Sequence, residues 1–257
     1  RIRDKRLLRL IARYLKAGIV EEGVLHDCRE GVPQGGPLSP LLSNVVLDLL
    51  DKELEKRGHK FARWADDFII LVHSKTAGER VLASVTRFVE RKLKLTVNDQ
   101  KSRVVRVSQC KFLGFSFHGK ALVWHPDALN KFKHKVKQLT GRSRGIAMTK
   151  RIKELSTFLR GWINYFGIAK GYQKCIDLDG WIRRRLRMCY WKQWRNVRTK
   201  VRNLLRLGIP LDLAVTTGSS NKSYWHSSKS PGINWAISNA FLEKQGLISL
   251  RDRWGAI

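Results

Sequence analysis

The sequence predicts an α/β region over residues 1–125, a mostly α-helical domain over 126–207 and a small basic C-terminal segment over 208–257. Three observations carry this reading. Windows of helical spacing and short apolar or alternating runs are interleaved in the first part, which mixes helices with strands. From Pro126 onward helical periodicity takes over. The charge shifts at nearly the same place: residues 1–120 hold 24 basic and 14 acidic side chains, residues 121–257 hold 27 and 7.

In chain order, residues 1–17 form an amphipathic helix with Ile2, Leu7, Leu10, Ile11, Tyr14 and Leu15 on one stripe and Gly18 as its stop. Residues 19–32 are short and hairpin-like. A second helix follows, with Pro37 and Pro40 near its first turn, Leu41, Leu42, Val45, Val46, Leu49, Leu50 and Leu54 at helical spacing, and Gly58 at its end. Residues 59–73 read as strand, tight turn and strand. Residues 76–93 read as a helix with Ala77, Val81, Val85, Phe88 and Val89 on one face. The stretches LKLTVN, SRVVRV and CKFLGFSFHGKALVW are strand-like, the last with a Gly119–Lys120 turn, so the early region draws its strands from distant parts of the chain. Residues 126–139 and 147–166 are helical and joined by the basic link TGRSRG. Residues 177–206 read as one long basic helical region, with Trp181, Ile182, Leu186, Tyr190, Trp194, Val197 and Val201 on one side.

With 51 Lys and Arg against 21 Asp and Glu, the formal net charge is +30. Such a balance in a chain with enough apolar content for a core points to a polyanionic partner. No apolar run approaches the roughly 18 residues of a spanning helix, so no membrane partner is expected. Cys28, Cys110, Cys175 and Cys189 form no CxxC pair, which argues against a structural zinc site and a disulfide framework and suits reduced thiols.

Two stretches carry chemistry. In RWADDFIILV, Asp66 and Asp67 stand before an apolar run that reads as a buried strand. An Asp-Asp pair at a hairpin turn is ordinarily turn chemistry. Carboxylates beside a buried strand are costly to desolvate, however, and a divalent cation with a taste for hard oxygen would remove that cost. Side chains alternate along a strand, so Asp66 is expected to be the closer ligand and Asp67 the supporting one. In GVPQGGPLSP, Gly35 and Gly36 let a substrate approach the backbone, free amides at a helix start suit an anion, and Gln34 offers both a donor and an acceptor. A third feature is the run Arg183, Arg184, Arg185, Arg187, Lys192, Arg195, Arg198, Lys200, Arg202 and Arg206, which has no acid among it. A solvated face is the usual account of a charge run; ten uncompensated charges fit phosphate contact better. Trp181 and Trp194 read as core, and Trp191 as either core or a stacking platform.

GVPQGGPLSPLLSN (31–44), RWADDF (63–68), NDQKS (98–102) and KFLGF (111–115), in this order, resemble the later palm motifs of reverse transcriptases, and most of all the group II intron-encoded class. LSTFLRGWINYF (155–166) and LDGWIRRRLRMCYWKQWRNVRTKV (178–201) resemble the thumb, or maturase domain, of those proteins. The resemblance implies a partial reverse-transcriptase palm with an incomplete sheet, followed by a helical thumb/maturase domain, and a final segment with a DNA-binding role. It implies an RNA-directed DNA polymerase and splicing maturase using Mg²⁺, with intron RNA, an RNA template with a DNA primer, and target DNA as partners, leaving room for a homodimer, in a bacterial cytoplasm near the nucleoid or in an organelle. By motif, Asp66 and Asp67 are the palm acids at the metal; Gln34, Gly35, Gly36, Trp64 and Lys101 lie by template or nucleotide. Arg160 lies in the thumb with Trp162, Asn164 and Tyr165, and shares RNA contact with Arg183, Arg184, Arg185, Arg187, Lys192 and Arg195.

Two departures accompany the resemblance. Trp64 stands where the family usually has Tyr. The further palm Asp of these polymerases comes from a strand upstream of residues 1–17, and neither Asp4 nor Asp27 has the context to replace it, so this piece alone is expected to be inactive. The competing expectation is a splicing-only, RNA-binding maturase. A reverse transcriptase recruited to another host task, such as defence, fits the maturase-like thumb less well.

Overall fold

The computed structural model describes residues 3–21, 24–26 and 38–256. Gln34, Gly35, Gly36, Asp27 and Cys28 lie outside them. The chain forms two compact units, Arg1–Val105 and Arg106–Ile257.

In the first unit, α1 (Lys5–Lys16) starts at Asp4, whose carboxylate accepts from the Arg6 and Leu7 amides at 2.7 and 3.3 Å and satisfies two orphan donors of the first turn. None of its residues is buried among the described ones, so its apolar stripe is open. Strands β1 (Ile19–Glu21) and β2 (Val24–His26) form an antiparallel hairpin. α2 (Ser39–Lys56) buries Leu47, Leu50 and Leu54, while Leu41, Val45, Val46 and Leu49 remain exposed. The buried face is therefore turned from the predicted one, and includes Leu47, which the spacing of the longer apolar stripe hides. β3 (Lys60–Trp64) pairs with β4 (Asp67–Leu71), and α3 (Lys75–Phe88) runs on into a π-helical turn, Val89–Leu93. Leu47, Leu50, Leu54, Val85 and Val89 make a small core with Phe61, Phe68, Ile70 and Val97 packed against it.

The predicted strands LKLTVN and SRVVRV do not form. Asn98 takes the chain into a turn, accepting the Lys101 amide on Oδ1 at 3.1 Å and the Ser102 amide on its carbonyl at 2.9 Å. Beyond the turn, Val104 packs over Gly78 on α3, where a Cβ would lie 2.6 Å from the Val104 methyl. Packing on a helix takes the place of a strand ladder. Every strand pairs only with its sequence neighbour, in three separate two-stranded sheets, so no sheet is assembled from distant segments among the described residues.

The second unit opens with the hairpin β5 (Phe115–His118) and β6 (Ala121–Trp124), turned at Gly119–Lys120 as expected. Helices α4 (Pro126–Leu139), α5 (Met148–Phe166), α6 (Tyr172–Gln193) and α7 (Val197–Arg206) follow. On α5, Ile152, Leu155, Leu159 and Ile163 recur at helical spacing and are completely buried. The hairpin packs on this helix: Phe115 lies 5.2 Å from Phe166, and Trp124 meets Trp162 edge-on at 4.9 Å while its Nε1 donates to the Phe166 carbonyl at 2.8 Å. This places the division between the units at Val105–Arg106 rather than near 125. Gly171 lets the Trp124 ring approach, since a Cβ there would lie 2.5 Å from it.

The expected single helix over 177–206 is two. Arg195 turns left-handed at φ 42°, and the Asn196 side chain caps α7 by accepting the Thr199 amide at 2.9 Å. The residues past 208 belong to the same compact unit. Helices α8 (Leu211–Gly218), α9 (Tyr224–Ser227), α10 (Pro231–Ala236), α11 (Asn239–Lys244) and α12 (Leu250–Trp254) share one core with α4–α7 through Ile209, Ala214, Ile233, Leu242 and Leu250. Asp179, buried on α6, accepts from the Leu250 and Arg251 amides and from Ser249 Oγ at 2.9, 3.1 and 3.0 Å, so it caps α12 from another helix. Replacing Asp179 with Ala leaves these donors unpaired, and urea denaturation is expected to show a loss of about 2–3 kcal/mol.

Candidate functional site

The two acids sit at the tip of the β3–β4 hairpin. Trp64 faces Asp67 across the ladder, so Ala65 and Asp66 form a two-residue turn. Ala65 has φ 54° and Asp66 does not share that sign, the pattern of a type II′ turn. A left-handed alanine costs about 1–2 kcal/mol, so surrounding contacts must hold the turn. Cross-strand partners project to the same face. Phe61, Arg63, Phe68 and Ile70 thus point to the core, while Lys60, Ala62, Trp64, Asp67 and Leu71 point away from it and are exposed. The apolar strand after the acids is covered on one face only, not buried as its composition suggested, because one layer of helix packs on two strands.

Arg63 holds the turn. Its Nε and Nη2 donate to the two oxygens of Asp51 on α2 at 2.7 and 2.5 Å, and its Nη1 donates to Asn44 Oδ1 at 2.8 Å and to the Ala65 carbonyl at 2.9 Å. Bidentate, charge-assisted bonds of this kind fix geometry as well as adding energy. The hydrogen bond from Asp51 raises the Arg63 pKa above its ordinary value against the opposing effect of burial. One guanidinium therefore ties the acid-bearing turn to the adjoining helix. Sequence reading missed it. Its signal is alternation: with Trp64 and Asp67 on the open face, Arg63 must face α2.

Asp66 and Asp67 are exposed and carry no hydrogen bond or ion pair among the described contacts. Their carboxylates are thus open to solvent in a chain with a formal charge of +30. The reverse transcriptases that the sequence motifs resemble work with a divalent metal. The pair offers the hard oxygens such an ion takes, and so fits as part of a metal site. The described residues bring no third His, Cys, Asp or Glu to form a cluster with them.

The remaining sequence-selected residues are dispersed. Trp64, 67% exposed, shares the Asp67 face. Lys101 lies in the exposed Asn98 turn, and no described contact joins it to the acids. Trp162 is core, stacked on Phe166 at 4.8 Å, and Trp191 is 1% exposed and core as well. Tyr165 is half-exposed and donates to the Leu113 carbonyl at 3.1 Å.

The arginine run divides in two. Arg184 donates to the Trp225 carbonyl at 2.9 Å and stacks 3.7 Å over the Trp225 ring. Arg185 donates to Thr140 Oγ1 at 2.5 Å, and Arg187 to the Ile237 carbonyl at 2.8 Å and Asn239 Oδ1 at 3.1 Å. Burial pulls all three pKa values below the ordinary arginine value. Arg183 is half-buried, 3.7 Å from Asp179. These four are engaged inside the fold, where carbonyls, side-chain oxygens and Asp179 take their donors. Lys200 is also interior, 4.6 Å over the Trp191 ring. Arg160, Lys192 and Arg195 are exposed.

Residues 3–117 match the reverse transcriptase (RNA-dependent DNA polymerase) family. Residues 129–208 match the group II intron, maturase-specific domain. The two matches follow one another in the order of the two structural regions and cover most of the chain. The two matches together support a reverse transcriptase followed by a group II intron maturase-specific domain. It is 30% identical over 157 residues to Protein YkfC of Escherichia coli K12, covering 48% of this chain and 40% of that one. It is 27% identical over 180 residues to the group II intron-encoded protein LtrA of Lactococcus lactis subsp. cremoris, covering 45% and 30%. Against the retron Mx65 reverse transcriptase of Myxococcus xanthus it is 40% identical over 92 residues, covering 33% and 21%. The chain spans less than half the length of these relatives. No helix among the described residues is long and apolar enough to cross a membrane.

Removing the Arg63 brace tests the hairpin. Arg63→Ala leaves Asp51 without its fork, and a loss of about 2 kcal/mol in urea denaturation is expected. Arg63→Lys, which keeps the charge without the fork, should recover only part of it.

Proposed function

We propose that this chain carries the acid-bearing palm hairpin and the maturase domain of a group II intron protein that copies RNA into DNA and assists intron splicing. The observation that carries the reading is the pair Asp66 and Asp67, held at a braced turn and left without a cation partner in a strongly basic chain. The match of residues 3–117 to the reverse transcriptase family adds the reaction class.

In this reading both carboxylates hold Mg²⁺, the ion suited to hard oxygens and few protein ligands. When bound, the ion neutralises charge on the transferring phosphoryl group and steadies the attacking and leaving oxygens. Trp64, on the Asp67 face, offers a flat apolar surface beside the acids for the primer end. Gln34, Gly35 and Gly36 line template and incoming nucleotide, and Lys101 contributes positive charge nearby. Arg63 acts as a positioning residue through the Ala65 carbonyl. Arg160, Lys192 and Arg195 contact RNA phosphates, and the interior arginines serve by holding the helices that carry them. Intron RNA, a primed RNA template and target DNA are the partners, and the site of action is wherever the intron transcript is made, in a bacterial cytoplasm or an organelle. A homodimer is not part of this reading.

Primer extension on an RNA template with Mg²⁺ tests it. The assay compares this chain, a form extended through whatever reading frame precedes Arg1, and the extended form with Asp66→Ala. Extension that is lost by at least a hundredfold in Asp66→Ala is expected, by analogy with a lost electrostatic clamp. Tight RNA binding without extension by any form would replace the polymerase with a splicing-only maturase.

A further inference from the structure

Between the link after α4 and the end of α6 lies an open cleft of about 550 Å³. Arg142, Arg151, Lys192 and Arg195 line it, and no acidic residue does. Like charges gathered in one concavity repel one another, so such a cleft is stable only with compensation from solvent or a bound anion. The proteins' usual remedy, a carboxylate partner, is absent from the described contacts of Arg142, Lys192 and Arg195. Arg142 and Lys192 instead lie 5.3 and 5.0 Å from the centre of the Tyr224 ring, and Lys200 lies 5.8 Å from it. Three cations thus gather around one ring rather than around a carboxylate, and the charge of the cleft suits a phosphate.

The wall of the cleft is built in advance. The carbonyls at the α4 C-terminus would repel an anion, yet they are covered. Arg144 donates to Leu139 at 2.8 Å, and Arg151 donates to Leu139 and Gly141 at 3.2 and 2.6 Å. Gln193 donates to the Ile146 carbonyl at 2.8 Å and so pins the link to α6. Arg151 is 1% exposed, and its Nε is a buried donor with no partner among the described residues. A buried orphan donor of a cation is costly to leave unmade. The volume exceeds what one phosphate fills and lies in the range of small-molecule sites, which suits a stretch of backbone rather than a single ion.

We propose that this cleft seats consecutive phosphates of a nucleic-acid strand, with Arg142, Lys192 and Arg195 as the exposed contacts and Arg151 as the fixed charge behind them. The proposal rests on the RNA-binding reading above and narrows it to one surface.

The test is equilibrium binding of single-stranded RNA by the full chain across a salt series. The triple variant Arg142→Gln, Lys192→Gln, Arg195→Asn keeps a residue tolerant of the left-handed backbone at 195. A control, Lys174→Gln, Lys229→Gln, Lys244→Gln, removes the same charge from exposed positions elsewhere in the unit. Each lost phosphate contact lowers the slope of log K against log salt by about 0.7, so a fall of about 2 is expected in the cleft variant with no such fall in the control. Circular dichroism and melting temperature should match the parent. Equal falls in both variants, or an unchanged slope in the cleft variant while RNA still binds, would overturn the cleft and leave the RNA-binding reading standing. Binding of polyglutamate that depends on the three cleft residues while RNA binding does not would assign it to an acidic polypeptide instead. No salt-sensitive RNA binding by the parent chain would sink both readings.

Discussion

A chain with 51 basic side chains and 21 acidic ones must build its interior without enough carboxylates to neutralise its arginines. The second unit meets this constraint with backbone carbonyls. Arg144, Arg151 and Arg185 converge on the end of α4 at Leu139, Thr140 and Gly141, where a helix leaves its last carbonyls unpaired and carries the negative end of its dipole. Arg184 and Arg187 do the same for the carbonyls of Trp225 and Ile237. Positive charge here fastens one helix to the next. The packing of α5 and α6 against α4 and the C-terminal helices follows from these bonds as much as from the apolar core.

Several carboxylates are tied to a structural task. Asp51 takes the fork of Arg63, Asp179 caps α12, and Glu154 pairs with Arg144 at 2.9 Å. Asp127, on the first turn of α4, pairs with Lys111 at 2.6 Å, and the hydrogen bond from that lysine lowers its pKa from the ordinary carboxylate value. Asp66 and Asp67 stand instead at an exposed turn. Arg63 is the cation nearest to them in sequence, and the fold turns it away to Asp51. The hairpin separates its two faces so that the basic residue braces and the acidic ones stay exposed.

Much of this was legible in the sequence, for reasons that can be named. Helices α3, α4 and α5 carry unbroken 3.6-residue periodicity with clear ends, and the β3–β4 and β5–β6 hairpins are bounded by two-residue turns, so local pattern suffices. The failures share a cause. Leu47 is buried because of which side of α2 meets β3 and β4, a tertiary fact. LKLTVN and SRVVRV have strand composition, but a strand needs a partner edge, and Asn98 and Gly78 direct the chain onto a helix. The break at Arg195–Asn196 lay in plain view as an N-cap residue, outweighed by the apolar stripe on either side. Within the arginine run, charge alone does not tell a solvent-facing cation from one aimed at a carbonyl. The acid pair stands out in the sequence as a motif, while Arg63 and Asp51, which brace its turn, leave only the faint signal of alternation.

The closure of the second core by its latest residues bears on how the chain is made. Trp254 Nε1 donates to the Ala169 carbonyl at 2.9 Å, Ser156 Oγ to the Gly246 carbonyl at 2.8 Å, and Leu250 sits fully buried. A ribosome delivers α5 and α6 many seconds before these partners, at roughly 5–20 residues per second. During that interval an apolar face and a set of unanswered arginines stand open together. The nascent helices would then be soluble through their charge rather than through their packing, and any polyanion close to the ribosome, a transcript among them, would meet this surface before the protein has finished folding.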